Sequence, residues 1–148
     1  MLAVLWFDGT RYLIPNWLVG SLLLLYPVAV YTGHGHADWK MALLGMAIVF
    51  VVGYFVFARK WMGGGDIKLL TACALWAGWY NLLDFLIMVA LLGGVFAVLV
   101  WVLRKVLLHL PVKVSFRLLK DGEPIPYGVA IAVGFLIAMA QGQIPAIL

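Results

Sequence analysis

The feature that most constrains this fold is a succession of long apolar segments that carry almost no charge. Residues 39–58 contain one lysine and no other charged side chain, and residues 82–103 form another segment of comparable length. A helix needs about 20 predominantly apolar residues to cross the hydrocarbon of a bilayer. In lipid, backbone polar groups must be satisfied within the protein, so helices or closed barrels are the viable spanning structures. The pattern therefore predicts membrane-spanning helices.

Composition extends this prediction to the whole chain. The 148 residues are 66% hydrophobic and 11% charged, whereas about 25% of a typical soluble domain is charged. Shorter apolar segments lie at 17–32, 67–79 and 126–139, and Met1–Phe7 supplies only two helical turns. We predict a single-domain, all-α polytopic membrane protein over residues 1–148. It is expected to have about five to six transmembrane helices, the first of them truncated.

The basic residues orient the predicted helices. If residues 8–16 lie in the cytoplasm and the segments alternate, one basic residue, Lys40, falls on the opposite side. The cytoplasmic group comprises Arg11, Arg59, Lys60, Lys68, Arg104, Lys105, Lys113, Arg117 and Lys120. Lysine and arginine concentrate on the cytoplasmic side of membrane proteins. The net charge of +4 thus suits the anionic lipid bilayer as partner and requires no nucleic acid. Residues 104–125 are predicted to be a cytoplasmic loop.

The same alternation places two carboxylates at one face of the membrane. Asp66 follows Gly63-Gly64-Gly65 between two apolar segments, and Asp8 ends the first apolar stretch. Asp66 could simply be an N-cap, because aspartate is favoured before a helix. However, ionisable groups at membrane depth are functional by default, and here two lie at one level. We therefore interpret Asp8 and Asp66 as a catalytic pair, with an active site at the cytoplasmic face.

Paired carboxylates can hydrolyse a peptide bond without metal or cofactor. Like charges a few ångströms apart cannot both ionise, so the pair holds one proton. The charged member deprotonates a water, and the protonated member hydrogen-bonds the substrate carbonyl. Glycines beside Asp66 would allow a substrate backbone to approach closely.

Other polar residues are given structural roles. Asn16 is predicted to cap the helix that begins at Trp17, and Lys68 to reach lipid head groups or substrate, since residues i and i+2 lie on different sides of a helix. Tyr80 and Asn81 are predicted to break the third apolar segment, with Asn81 capping the next helix. Cys73 is expected to pack in the core.

Two further motifs also have structural interpretations. His34 and His36, with Asp38, could ligate a metal, but a polar loop is the preferred interpretation because no further ligand lies nearby. Small residues at Gly128, Ala132, Ala130 and Gly134 have a spacing that lets membrane helices pack closely.

Three motifs together resemble those of the type IV prepilin peptidases, which are GxGD-class membrane aspartyl proteases. Asp8 followed by Ile14-Pro15-Asn16 resembles the first catalytic aspartate with its downstream I-P-N. The stretch Gly63-Gly64-Gly65-Asp66-Ile67-Lys68 resembles G-x-G-D-x-K, which contains the second catalytic aspartate. Pro126-Tyr127-Gly128 begins a stretch similar to the family's P-Y-G-x-A-I-A.

The resemblance implies a leader peptidase of the bacterial inner membrane. Its substrates would be pilin or pseudopilin precursors, cut between a basic leader and an apolar helix. Gly63, Gly64, Gly65 and Lys68 would form the active-site loop, and the I-P-N and P-Y-G residues would support it. The chain resembles the short, peptidase-only branch of the Flp (tight-adherence) type, so no methyltransferase activity is expected.

Two alternatives remain open at this point. One is a different GxGD membrane protease, related to preflagellin or signal-peptide peptidases. The other is a non-enzymatic transporter or assembly subunit whose broken helix at the glycines binds an ion. Midplane carboxylates and a second broken helix would favour a transporter, and neither is evident in the sequence.

Overall fold

The structure, a computed structural model, describes residues 1–11, 14–33, 38–108 and 127–142. Over these ranges every regular element is an α-helix, as predicted. The helices are α1 (Leu2–Arg11), α2 (Asn16–Tyr31), α3 (Trp39–Ala58), α4 (Gly64–Leu108) and α5 (Tyr127–Ala140). Residues 104–108, predicted to begin a loop, continue α4. The rest of that loop lies outside the described residues, as do Pro126, His34 and His36.

Two helices are long and apolar enough to cross a membrane. They are α3, at Trp39–Ala58, and the stretch Gly64–Val106 of α4. α2 and α5 are shorter apolar helices of 16 and 14 residues. Many large apolar side chains of α2, α3 and α4 are exposed, which is the arrangement expected where lipid surrounds the helices.

α4 is interrupted at Gly78, not at Tyr80 and Asn81 as predicted. Gly78 has φ 68° and ψ 174°, while Tyr80 and Asn81 are helical. The sequence carries no local signal for this interruption, because Gly78 lies between alanine and tryptophan and has no polar neighbour. Glycine is suited to the position because a positive φ is sterically costly for residues that carry a Cβ. Asn81 is therefore not a helix cap.

The break at Gly78 folds α4 back on itself. A straight helix of 45 residues would be about 68 Å long, more than twice the thickness of a hydrocarbon core. Instead, residues at equal distances on either side of Gly78 lie in one apolar cluster, which contains Ala74 and Leu82 and has Leu70 and Leu86 packed against it. Met62 and Gly94 likewise line one cavity together with Leu70 and Leu86. Residues 64–77 and 79–108 thus form two antiparallel segments.

The core lies where these two segments meet α5. Cys73 is fully buried there, as predicted. Phe85 and Phe135 contact edge to face with ring centroids 6.3 Å apart. A Cβ added to Gly134 would lie 2.9 Å from Val89, which confirms that small residues let α5 approach α4 closely.

α2 is fastened to the first segment of α4 by one tryptophan. Trp76 Nε1 donates a hydrogen bond to the Leu22 carbonyl at 2.9 Å. Its ring also lies edge to face with Tyr26, at a centroid distance of 5.5 Å. These contacts hold the C-terminal half of α2 against α4. The N-terminus of α2 lies near the start of α4.

Candidate active site

Asp8 is a buried carboxylate with a backbone partner from the other end of the chain. It lies on α1 one turn after the buried Val4, and 3% of its surface is exposed. Its Oδ2 accepts a hydrogen bond from the Val129 N–H at 2.9 Å. Val129 belongs to the first turn of α5, where helix N–H groups lack partners within the helix. Asp8 therefore satisfies the N-terminus of α5.

Asp66 reaches the same place from a different helix. α4 begins at Gly64, so Asp66 lies inside its first turn and does not precede the helix as an N-cap would. The Asp66 side chain is largely buried, and the backbone N–H groups of Gly128 and Gly63 face its carboxylate. The three glycines thus contribute a backbone donor as well as the turn between α3 and α4.

The two carboxylates converge on one peptide group at the start of α5. The Gly128 N–H faces both Asp8 and Asp66, and the two side chains interact electrostatically. Helix N-termini favour anions through their unpaired N–H groups and their dipole. Two acids 58 residues apart in sequence are thereby held together at a site that tolerates negative charge.

Gly128 allows this approach because it has no side chain. A Cβ built there would lie 2.5 Å from Asp8 Oδ2 and 2.8 Å from Ile14 Cδ1. Real Cβ atoms do not make contacts closer than 3.0 Å. Gly128, the last residue of the Pro-Tyr-Gly motif, therefore lets the backbone of α5 lie against Asp8.

Ile14 closes the site between α4 and α5. Its side chain lies 3.5 Å from the position of a Cβ on Gly65, next to Asp66, as well as against Gly128. Ile14 of the Ile-Pro-Asn motif thus contacts Gly65, which is next to Asp66, and Gly128, which contacts Asp8. Gly64 faces the ring of Phe57 instead, with a Cβ distance of 3.3 Å.

Asn16 differs from its predicted role, and its side chain contacts Lys68. The N-cap position of α2 is occupied by Pro15, and Asn16 is the first helical residue. The Asn16 Oδ1 accepts a hydrogen bond from Lys68 Nζ at 3.2 Å. The prediction that Asn16 caps α2 is wrong, because its side chain joins α2 to α4. This hydrogen bond could not be predicted from the sequence, because Asn16 and Lys68 are 52 residues apart.

An apolar cavity of about 290 Å³ adjoins the N-terminal ends of α4 and α5. It is lined from both segments of α4 and from α5. The lining includes Met62, which precedes the glycines, and Tyr127, which precedes Gly128. Other lining residues include Leu70, Leu86 and Ile131. The cavity is suited to an apolar segment of another molecule, and Tyr127 in its lining is next to Gly128, which contacts Asp8.

The site presents two carboxylates that interact electrostatically, together with backbone N–H donors, to a polar reactant. Within the described residues, no group of three or more His, Cys, Asp or Glu side chains could hold a metal ion. Asp38 and Asp84, both exposed, lie on other parts of the chain. The arrangement is suited to activating a water molecule between Asp8 and Asp66.

Comparisons with known proteins identify the family to which the chain is similar. A family model described as the type IV leader peptidase family matches residues 1–98. The prepilin leader peptidase/N-methyltransferase of Pseudomonas aeruginosa is 29% identical over 150 residues, which cover 97% of this chain and 47% of that protein. The proteins of the same name from Aeromonas salmonicida and Stutzerimonas stutzeri are 26% and 25% identical, with the same coverage.

The chain spans about half the length of the relatives it matches. No solved structure matches it at a significant level. The matched residues 1–98 run from α1 to the second segment of α4 and include both aspartates. Because the family model covers more than half of the sequence, the chain belongs to the type IV leader peptidase family.

Proposed function

We propose that this protein is a prepilin leader peptidase of the aspartic type, with Asp8 and Asp66 as its catalytic pair. The observation that carries the proposal is the convergence of both carboxylates on the N-terminus of α5. Burying two acids side by side is unfavourable, because each desolvated carboxylate resists ionisation beside the other. Chemistry that needs one protonated and one charged carboxyl group accounts for keeping both.

The proposed reaction is direct hydrolysis by an activated water. The charged carboxylate takes a proton from the water as its oxygen attacks the carbonyl carbon of the scissile peptide. The protonated carboxyl donates its proton to the carbonyl oxygen, which gives a neutral tetrahedral diol. The C–N bond then breaks, the nitrogen leaves with a proton from the first carboxyl group, and the second carboxylate recovers a proton from the diol. Backbone N–H groups of α5 hold the pair in place during both steps.

The proposed substrates are pilin precursors, presented at the cytoplasmic face of the inner membrane. Their apolar helix suits the cavity that runs from Met62 and Tyr127 towards Leu70, Leu86 and Ile131. Basic residues near the start of α4, such as Arg59, Lys60 and Lys68, favour the cytoplasmic side for this end of the molecule. The proposal concerns leader cleavage and does not extend to the N-methyltransferase activity in the relatives' names.

The test is cleavage of a co-expressed Flp-type prepilin by wild type, Asp8→Asn and Asp66→Asn. Asparagine keeps the size of the side chain but cannot exchange a proton, so each variant should lose at least about a hundredfold in rate. Asp84→Asn is the matched control, because Asp84 is an exposed carboxylate elsewhere on α4. It should cleave like wild type.

Equal processing by wild type and both variants would refute the catalytic pair. It would also favour a non-enzymatic scaffold, which should tolerate either substitution. Loss of cleavage in Asp84→Asn as well would indicate a general effect of removing charge.

A further inference from the structure

A single hydrogen bond joins the start of α2 to the first turn of α4. Lys68 Nζ donates to Asn16 Oδ1 at 3.2 Å across 52 residues of sequence. Both residues belong to motifs that also contribute to the candidate site, Ile14-Pro15-Asn16 and Gly63 to Lys68. The bond therefore connects the two motifs directly at their outer edges.

Helix electrostatics do not explain why a lysine occupies this position. Lys68 lies near the N-terminus of its own helix and reaches the N-terminus of α2. Both helix ends carry partial positive charge, and a cation there is disfavoured by the macrodipole. The Lys68 side chain is exposed, whereas the Asp66 side chain is largely buried, so the two face different sides of α4. The hydrogen bond to Asn16 therefore gives a specific reason for a lysine at position 68.

The hydrogen bond fixes a segment that contacts the glycine beside each aspartate. Ile14 lies two residues before Asn16 and packs between Gly65 and Gly128. If Asn16 moves away from α4, Ile14 withdraws from Gly65, next to Asp66, and from Gly128, which faces Asp8. The geometry of both carboxylates then becomes less restricted.

We propose that Asn16 and Lys68 form a positioning pair, which holds Ile14 between α4 and α5 and thereby sets the separation of Asp8 and Asp66. The inference rests on the proposed function, because it assigns the pair a role in the same site. Neither residue touches the reacting atoms in this account. Loss of the pair should therefore lower kcat and leave KM largely unchanged.

Prepilin cleavage by four variants of the full chain in detergent tests the pair. Lys68→Met and Asn16→Leu each remove the hydrogen bond with little change in side-chain size. Each should lower kcat roughly threefold, because the hydrogen bond is exposed to solvent and is therefore weak. The double variant should be no worse than either single variant. Asn16→Asp keeps the acceptor oxygen and should cleave like wild type.

Arg59→Met is the matched control for charge. Arg59 is an exposed basic residue at the end of α3, and its loss removes one positive charge without affecting the Asn16–Lys68 bond. It should retain wild-type kcat. Additive losses in the double variant, a raised KM with normal kcat in Lys68→Met, or equal loss in Arg59→Met would each overturn the pair.

Thiol crosslinking tests the same inference without any substrate. Cysteines replace Asp8 and Asp66 in a Cys73→Ala background, and the crosslinking yield is compared with and without Lys68→Met. The pair predicts that Lys68→Met lowers the yield severalfold, and an unchanged yield would refute it. If wild type does not cleave prepilin but the yield falls, the proposed function fails and the positioning pair stands.

Discussion

The sharpest test of this site is the substitution Gly128→Ala. The added methyl group would lie 2.5 Å from Asp8 Oδ2 and 2.8 Å from its Cγ. To reach an ordinary contact of 3.4 Å, the carboxylate must withdraw by about 0.9 Å, although Asp8 is only 3% exposed and has little room to move. A misplacement of about 1 Å in a catalytic group can cost roughly a hundredfold in rate.

We therefore expect Gly128→Ala to lower kcat for prepilin cleavage roughly a hundredfold. The variant should still fold, because alanine is favoured over glycine in a helix by about 1 kcal/mol. The assay is the initial rate of cleavage at saturating substrate, with thermal unfolding of the same samples in detergent as a measure of folding.

Gly134→Ala is the matched control for crowding of α5. Gly134 lies on the same helix as Gly128 but away from both aspartates. Its added methyl group would lie 2.9 Å from Val89 Cγ2. It should affect stability more than kcat. Wild-type kcat in Gly128→Ala would refute the argument that this glycine positions Asp8. Equal loss of kcat in Gly134→Ala would assign the effect to helix packing.

Three further substitutions test the surroundings of the site. Gly65→Ala alters the glycine motif but should retain near-wild-type cleavage, because its methyl group would meet Ile14 at an ordinary distance of 3.5 Å. Loss of most of the cleavage activity would show that the substrate needs the space beside Gly65. Gly78→Ala should lower the free energy of unfolding by about 1–3 kcal/mol, since φ 68° with ψ 174° is a conformation that essentially only glycine adopts. Thermal unfolding in detergent measures this against Gly20→Ala, whose methyl group meets no atom within 4 Å, and equal stability of the two would contradict it. Gly94→Leu should raise KM for prepilin roughly tenfold by filling the apolar cavity, whereas Gly20→Leu, outside the cavity, should not. An unchanged KM in both leucine variants would exclude the cavity as the binding place of the substrate helix.

The sequence predicted the fold class, the family and the pair of aspartates. Apolar segments of helix length dictate helices wherever the backbone must satisfy its own hydrogen bonds in lipid. The glycines before Asp66 and the motifs at Ile14 and Pro126 stand out because they interrupt those segments. Such signals are local, and one chain is enough to read them.

The position of the break in α4 could not be predicted in the same way. Gly78 lies within an apolar stretch, and a single glycine in a helical pattern is usually tolerated. The polar residues Tyr80 and Asn81 were the stronger local signal for a break, yet both are helical. Ala74, Leu82, Leu70 and Leu86 share one apolar cluster, and this tertiary packing identifies the reversal at Gly78.

The sequence alone accounts for the parts of this protein, which are apolar helices suited to lipid, two aspartates near helix ends, and glycines next to Asp66. The contacts between these parts follow from the tertiary structure. It pairs Asp8 with the Val129 N–H, turns Asn16 from a helix cap into the partner of Lys68, and gives Gly128 its steric role. The physical reason is that capping, turns and helix length depend on neighbours in sequence. A carboxylate buried against a distant helix end depends on the three-dimensional packing of α1, α4 and α5.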